Sequence, residues 1–310
     1  MTETKLQILL ATYNSEAWLE PQLDSILVQD FTDFTLLIRD GGSTDGTPEI
    51  IGRYRQKYPD RIVFLGRERA RACENFSELL RCADGDLFMF ADHDDLWMPD
   101  KISATLAAYR ELEGRYGART PLMVFSDAIV ADRELNEVSP SLVRYQRLDP
   151  RELTLNRLIL QNVPSGNEML FNRALADLAL PIPEAAVMHD HWLALAAAAF
   201  GHIAYLDRPT LYYRQHGDNV FGATSYSLPA FWRRLKLGRK KIRERFDQNI
   251  AQAVAFGQRY GARLSPEDRE LFTALTGWTA LGFWGRRHLL WKHRLRKSGL
   301  LRNLGMYLTV

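Results

Sequence analysis

The 310-residue chain holds only two cysteines, Cys73 and Cys82, nine positions apart on a stretch with helical spacing. That suits neither a local disulfide nor a metal knuckle and fits a reducing, cytoplasmic setting. Long apolar runs are missing too. The longest, LALAAAAF (193–200), is far too short to cross a bilayer. The opening MTETKLQILLATYN lacks the basic and apolar regions of a secretory leader. No internal repeat or low-complexity linker occurs. Acidic residues are absent from Leu271 to the C-terminus, where Arg286, Arg287, Lys292, Arg294, Arg296, Lys297 and Arg302 are all basic. The net charge of +2 therefore hides a cationic tail behind a balanced front.

What is present is ordinary in bulk. Apolar content of 46% and charged content of 25% suit a folded protein with one large domain or two smaller ones. The first 130 residues alternate strand and helix signals. LQILLA (6–11), FTLLIR (34–39), RIVFL (61–65), DLFMFA (86–91) and LMVFS (122–126) read as strands, with amphipathic helices between them. This rhythm predicts an α/β fold with a mostly parallel central sheet and helices on both faces. Ligands of such sheets bind beyond the carboxyl ends of the strands. Thr12-Tyr13-Asn14, Asp40 and Asp92-His93-Asp94 each follow a strand, so the three clusters should meet at one edge. From about residue 150 the pattern changes to loop, short strand and helix, and beyond Pro229 it is helical, amphipathic and basic.

Four stretches carry chemistry. ADHDDLW (91–97) crowds three carboxylates at the end of a buried strand, where like charges resist desolvation. A hard divalent ion would offset that cost, since Mg²⁺ or Mn²⁺ at nucleotide sites uses one or two carboxylates plus phosphate oxygens. A turn with Asp95 or Asp100 capping the next helix is the plainer alternative. DGGSTDGT (40–47) is a glycine-rich turn that lets backbone approach a nucleotide, but it lacks the endings of a P-loop and of a dinucleotide fingerprint; a tight turn capped by Thr47 serves equally well. In MHDHW (188–192), Asp190 reads either as an N-cap or as a general base flanked by His189 and His191. In YRQHGDN (213–219), His216 is either a loop histidine or a metal ligand.

Taken in order, ATYNSEAWLEPQLDSIL, RDGGSTDGT, ADHDDLW, PSGNEMLFNRAL, MHDHWLAL and YRQHGDN resemble the inverting family-2 glycosyltransferases. More narrowly they resemble the rhamnosyltransferase-like branch that builds O-antigens and other bacterial surface polysaccharides. The resemblance spans roughly residues 5 to 222. It implies a GT-A fold, Rossmann-like, in a catalytic domain of residues 1–225, followed by a basic helical region at 226–310. It implies a nucleotide-sugar donor and a Mn²⁺ or Mg²⁺ ion. By similarity Thr12, Tyr13, Asn14 and Asp40 would hold base and ribose, with Arg71 and Arg214 near the diphosphate. Asp92 would touch ribose or metal, Asp94 and His216 would bind the metal, and Asp190 would be the catalytic base. Trp192, His191 and Asp95 would face the acceptor. Two positions depart from the family pattern: Gly41 stands where a second aspartate is usual, and His93 where glutamine is common.

The expected reaction is transfer of L-rhamnose from dTDP-rhamnose to a polysaccharide or lipid-linked acceptor. A UDP-hexose donor and a catalytically idle membrane-complex subunit are the alternatives. The segment FWRRLKLGRKKIRERF (231–246) interleaves aromatic and basic residues, which points to an anionic membrane surface rather than nucleic acid. A solvated helical face is the alternative there. Peripheral attachment at the inner face of the plasma membrane is the expected location.

Overall fold

A computed structural model describes residues 4–216 and 239–310. The elements are β1 (Leu6–Thr12), α1 (Leu19–Leu27), β2 (Phe34–Asp40), α2 (Thr47–Lys57), β3 (Ile62–Arg67), α3 (Ala72–Cys82), β4 (Leu87–Asp92), β5 (Leu96–Trp97), α4 (Lys101–Tyr116), β6 (Leu122–Ala131) and β7 (Glu137–Ser139). They continue with α5 (Leu142–Tyr145), α6 (Leu155–Leu158), a 3₁₀ turn (Gly166–Glu168), β8 (Met169–Asn172), α7 (Arg173–Ala179), α8 (His189–Phe200) and β9 (His202–Arg214). The last helices are α9 (Arg239–Tyr260), α10 (Pro266–Thr276), α11 (Phe283–Lys292) and α12 (Leu300–Thr309).

The strands join one sheet in the order β3-β2-β1-β4-β8-β6-β9-β5, with β7 on β6. The first half is parallel, as the alternation predicts: β1 pairs with β2 and β4, and β2 with β3. Beyond β4 the sheet is mixed, because β8 inserts antiparallel between β4 and β6. β6 and β9 are again parallel, and β5 closes antiparallel on β9. The strand cores are dry: Ile8, Leu9, Leu10, Leu36, Phe88 and Phe90 have essentially no exposed surface. Their near-continuous apolar sequence is what a sheet covered on both faces demands.

The chain divides into two compact units. The first contains 1–142, 164–182 and 188–223; the second contains 143–163, 183–187 and 224–310. The second is helical, with Phe246, Phe256, Phe272, Leu275, Trp278 and Leu290 in its core. Among the described residues, no helix is long and apolar enough to cross a membrane. Residues 217–238, and with them the first part of the basic segment 231–246 and the end of YRQHGDN, lie outside the described residues.

Candidate active site

Register fixes the site's first edge. Thr12 at the end of β1 lies opposite Asp40 at the end of β2, and Ala11 lies opposite Asp92 at the end of β4. Neighbouring strands are about 4.8 Å apart, so three motifs remote in sequence meet at one rim.

At Asp40 the rim is self-contained. The carboxylate is wholly buried. It accepts hydrogen bonds from Thr12 Oγ1 at 2.9 Å, Ser43 N at 2.8 Å, Gly42 N at 3.2 Å and the Ser43 hydroxyl, with Arg67 Nε at 3.6 Å. Thr12 is buried with it. The side chains of Thr12 and Asp40 thus hold each other and the turn together. Gly42 sits at φ +88°, a region glycine adopts without steric cost. A Cβ on Gly41 would meet Ala70 O at 3.2 Å and Thr12 O at 3.3 Å, so the family's second aspartate has little room. What the turn presents is Tyr13, 55% exposed. Asn14 stands beside it at φ +45°, its Oδ1 accepting Thr44 N at 2.9 Å.

Asp92 is in the opposite condition. It is half-buried, and none of the described donors reaches its carboxylate. Burial, followed by the charges of Asp94 and Asp190, pushes it up to about 8. Burial also opposes the charge of Asp94, but a 2.8 Å contact from His216 Nε2 to its Oδ2, with His93 nearby, holds it below the usual carboxylate range. His216 stacks on Trp18 with ring centroids 5.1 Å apart. Arg214 and Arg133 lie over the same indole, at 4.8 Å and 5.2 Å. The Arg214 guanidinium donates to Asp94 O at 3.0 Å and Arg133 O at 2.7 Å, and the residue is buried. Arg214 therefore braces the acidic loop. Trp18 and Arg133 were not singled out from the sequence; 115 positions separate them, and no local signal joins them.

Asp95 is wholly buried and accepts Asn167 Nδ2 at 2.5 Å and Arg214 N at 3.4 Å. Burial, then the charges of Asp94 and Asp92, raises it well above the carboxylate range. It ties β9 to the 3₁₀ turn.

The third component comes from α8. Met188 occupies the N-cap position and Asp190 the first turn. Asp190 Oδ2 accepts Gly166 N at 3.1 Å and Oδ1 accepts His191 N at 2.6 Å. Burial lifts it to about 6, the backbone hydrogen bonds working against that rise. His189 is 2% exposed, packed 4.1 Å from the Phe76 ring and 4.5 Å from Phe90, and burial pushes it down to about 3. It is therefore neutral and belongs to the floor. Trp192 is fully buried and its indole donates to Ala179 O at 3.0 Å. His191 is 3% exposed. Arg71 stands exposed at the N-cap of α3 and is bound to Glu74 at 2.6 Å and 2.9 Å.

Among the described residues, no three acidic, histidine or cysteine side chains converge tightly enough to hold an ion unaided. The donor set nevertheless fits a hard divalent cation completed by phosphate oxygens. Asp94 offers a carboxylate and His216 an imidazole, and Asp92 is a carboxylate whose charge is opposed by two others.

Comparison with known proteins agrees with this geometry. The glycosyl transferase family 2 profile matches residues 7–121, which run from within β1 through α4 and include the acidic triplet. The dTDP-rhamnosyl transferase RfbG of Shigella flexneri is 29% identical over 272 residues, covering 79% of this chain and 84% of RfbG. The mannosyltransferase PcManGT from Pyrobaculum calidifontis, solved with GDP-Man and Mn²⁺, superposes with a TM-score of 0.56 at 18% identity, over 99% of this chain and 79% of its own. Residues 1–349 of S. aureus TarS in complex with UDP give 0.55 at 17% identity, over 94% and 91%. At such identities the two structures speak for the fold alone, and that fold is GT-A. The chain carries a glycosyltransferase family 2 domain, and it is a glycosyltransferase.

Proposed function

We propose that the protein is a metal-dependent inverting glycosyltransferase that moves L-rhamnose from dTDP-rhamnose to a polysaccharide or lipid-linked acceptor in surface-polysaccharide or O-antigen synthesis. Residues 1–225 would be its catalytic domain and 226–310 a basic region serving a cytoplasmic enzyme attached to the membrane. The observation that carries the reaction class is that the charge of Asp190 acts on Asp92 together with that of Asp94, a base and an acidic rim at one place. Asp190 would take the acceptor's hydroxyl proton as that oxygen bonds to the anomeric carbon. The bond to the nucleoside diphosphate breaks in the same displacement, inverting the carbon without a covalent enzyme intermediate. A carboxyl group that titrates at about 6 is ionised at neutral pH yet basic enough to accept a proton in the transition state. A divalent ion held by Asp94, His216 and Asp92 would neutralise the charge that develops on the departing diphosphate. Tyr13 and Asn14, on the exposed lip of the turn, would flank the nucleotide.

The rhamnose donor is supported by the likeness to RfbG, whose name is that of a dTDP-rhamnosyl transferase. TarS, solved with UDP-GlcNAc, motivates the second reading, a UDP-sugar donor. Calorimetric titration of dTDP and of UDP, with Mn²⁺ and with EDTA, separates them. Metal-dependent binding of dTDP over UDP is expected. A preference for UDP would overturn the rhamnose assignment while keeping the transferase, and binding of neither would favour an idle subunit.

A further inference from the structure

The outer surface of the last two helices has a composition that nothing in the transfer reaction uses. Along α12, Leu300, Leu304 and Leu308 recur every fourth residue, 84%, 47% and 51% exposed, while Met306 and Val310 face inward. Residues four apart lie on one helix face, so these leucines make a solvent-facing apolar stripe. On α11, Trp284 is 79% exposed and Trp291, seven positions on, is 72% exposed. Six of the eleven large apolar side chains left exposed among the described residues fall between Phe283 and Leu308. The Arg287 guanidinium donates to Val310 O at 2.6 Å and to Tyr307 O. The middle of α11 therefore lies beside the end of α12, and the tryptophans and the leucine stripe belong to one hairpin.

Charge decides what covers such a surface. No acidic residue occurs from Leu271 to the C-terminus. Lys292, Arg294 and Arg296 are exposed around the connection between the helices, Lys292 beside Glu270 at 2.9 Å. A second copy of this surface would bring like charges together. Nucleic acid would satisfy the arginines and leave the leucines and tryptophans in water. An anionic lipid surface satisfies both, taking cations at its phosphates and indoles at the headgroup level. Each helix has ten residues, roughly 15 Å, too short to span and suited to lie in the plane.

We propose that the α11–α12 hairpin is a lipid-docking surface. Trp284, Trp291, Leu300, Leu304 and Leu308 enter the interfacial layer, and Arg294 and Arg296 bind anionic headgroups. The proposal deepens the membrane attachment named above by assigning it a surface, and it is independent of the donor. The test is flotation of the full chain with phosphatidylcholine vesicles, with and without phosphatidylglycerol. The full chain should float with anionic vesicles and much less with neutral ones. Trp284→Ser combined with Trp291→Ser, and separately Arg294→Glu with Arg296→Glu, should each weaken binding about tenfold or more. Brominated lipids should quench the tryptophan emission of the unsubstituted protein, a readout that needs no variant to fold. Wild-type-like flotation of the tryptophan pair, no quenching, or a concentration-dependent dimer abolished by the same substitutions would each overturn the proposal. Metal-dependent dTDP binding, measured on the same preparations, reports on the transferase reading separately.

Discussion

Asp40 and Asp92 end the two strands that flank β1 on one sheet rim, and they are in opposite states. Asp40 is wholly buried with four hydrogen bonds and an arginine close by. Asp92 has none of the described donors on its carboxylate and is pushed up to about 8. A half-buried carboxylate without donors costs free energy that folding alone would remove. The comparison separates two uses of one residue type. Asp40 is engaged in the architecture of the turn, whereas Asp92, beside the paired carboxylates of Asp94 and Asp190, has no such donors. Such unmet charge is the more informative sign of a functional site.

The largest effect sharpens the functional side of that contrast. Asp190→Asn keeps the shape and the hydrogen bond from Gly166 but cannot accept a proton. Turnover should fall by about 10²- to 10⁴-fold with dTDP affinity unchanged. In the unaltered enzyme, the rate should fall as pH drops through about 6, because the raised carboxyl takes up its proton there and the base form is lost. A pH–rate profile flat down to pH 4.5, or an unimpaired Asn variant, would remove Asp190 from the chemistry.

Next comes the architectural side. Asp40→Asn replaces a charged acceptor of several hydrogen bonds by an amide whose NH₂ would face donors. The loss should be about 2–3 kcal/mol in urea unfolding, with the turn that carries Tyr13 loosened. A variant as stable as the wild type, yet unable to bind nucleotide, would break the comparison by returning Asp40 to direct contact with the base.

This rim was largely legible in the sequence, because an apolar run that ends in Thr12, Asp40 or Asp92 marks both the strand and its carboxyl end. The α/β rhythm likewise announced the parallel half of the sheet. Where β8 would insert was not legible, since alternation encodes a strand and not its partner. Burial was the other blind spot. Nothing in ADHDDLW says that Asp95 turns inward to Asn167 while Asp94 meets His216, nor in MHDHW that Trp192 points into the core. Trp18 and Arg133 escaped notice because only the folded chain brings their rings and charges together. The roles themselves came from resemblance, and residue types alone left each of them balanced against a plain turn or cap.

The smallest expected effect is also the most discriminating. Asp92→Asn removes a charge that burial and two neighbouring carboxylates oppose, so in EDTA the variant should be more stable than the wild type at pH 9. The sign follows from linkage. The folded carboxyl keeps its proton up to about 8, while an unfolded aspartate releases it near 3.9. The wild type therefore loses stability as pH rises between those values, and the variant does not. The gain should vanish below about pH 4, grow with pH and level off above 8. Urea unfolding at several pH values measures it. A variant less stable than the wild type at pH 9 would mean that Asp92 has partners after all, and the two ends of the rim would then be alike.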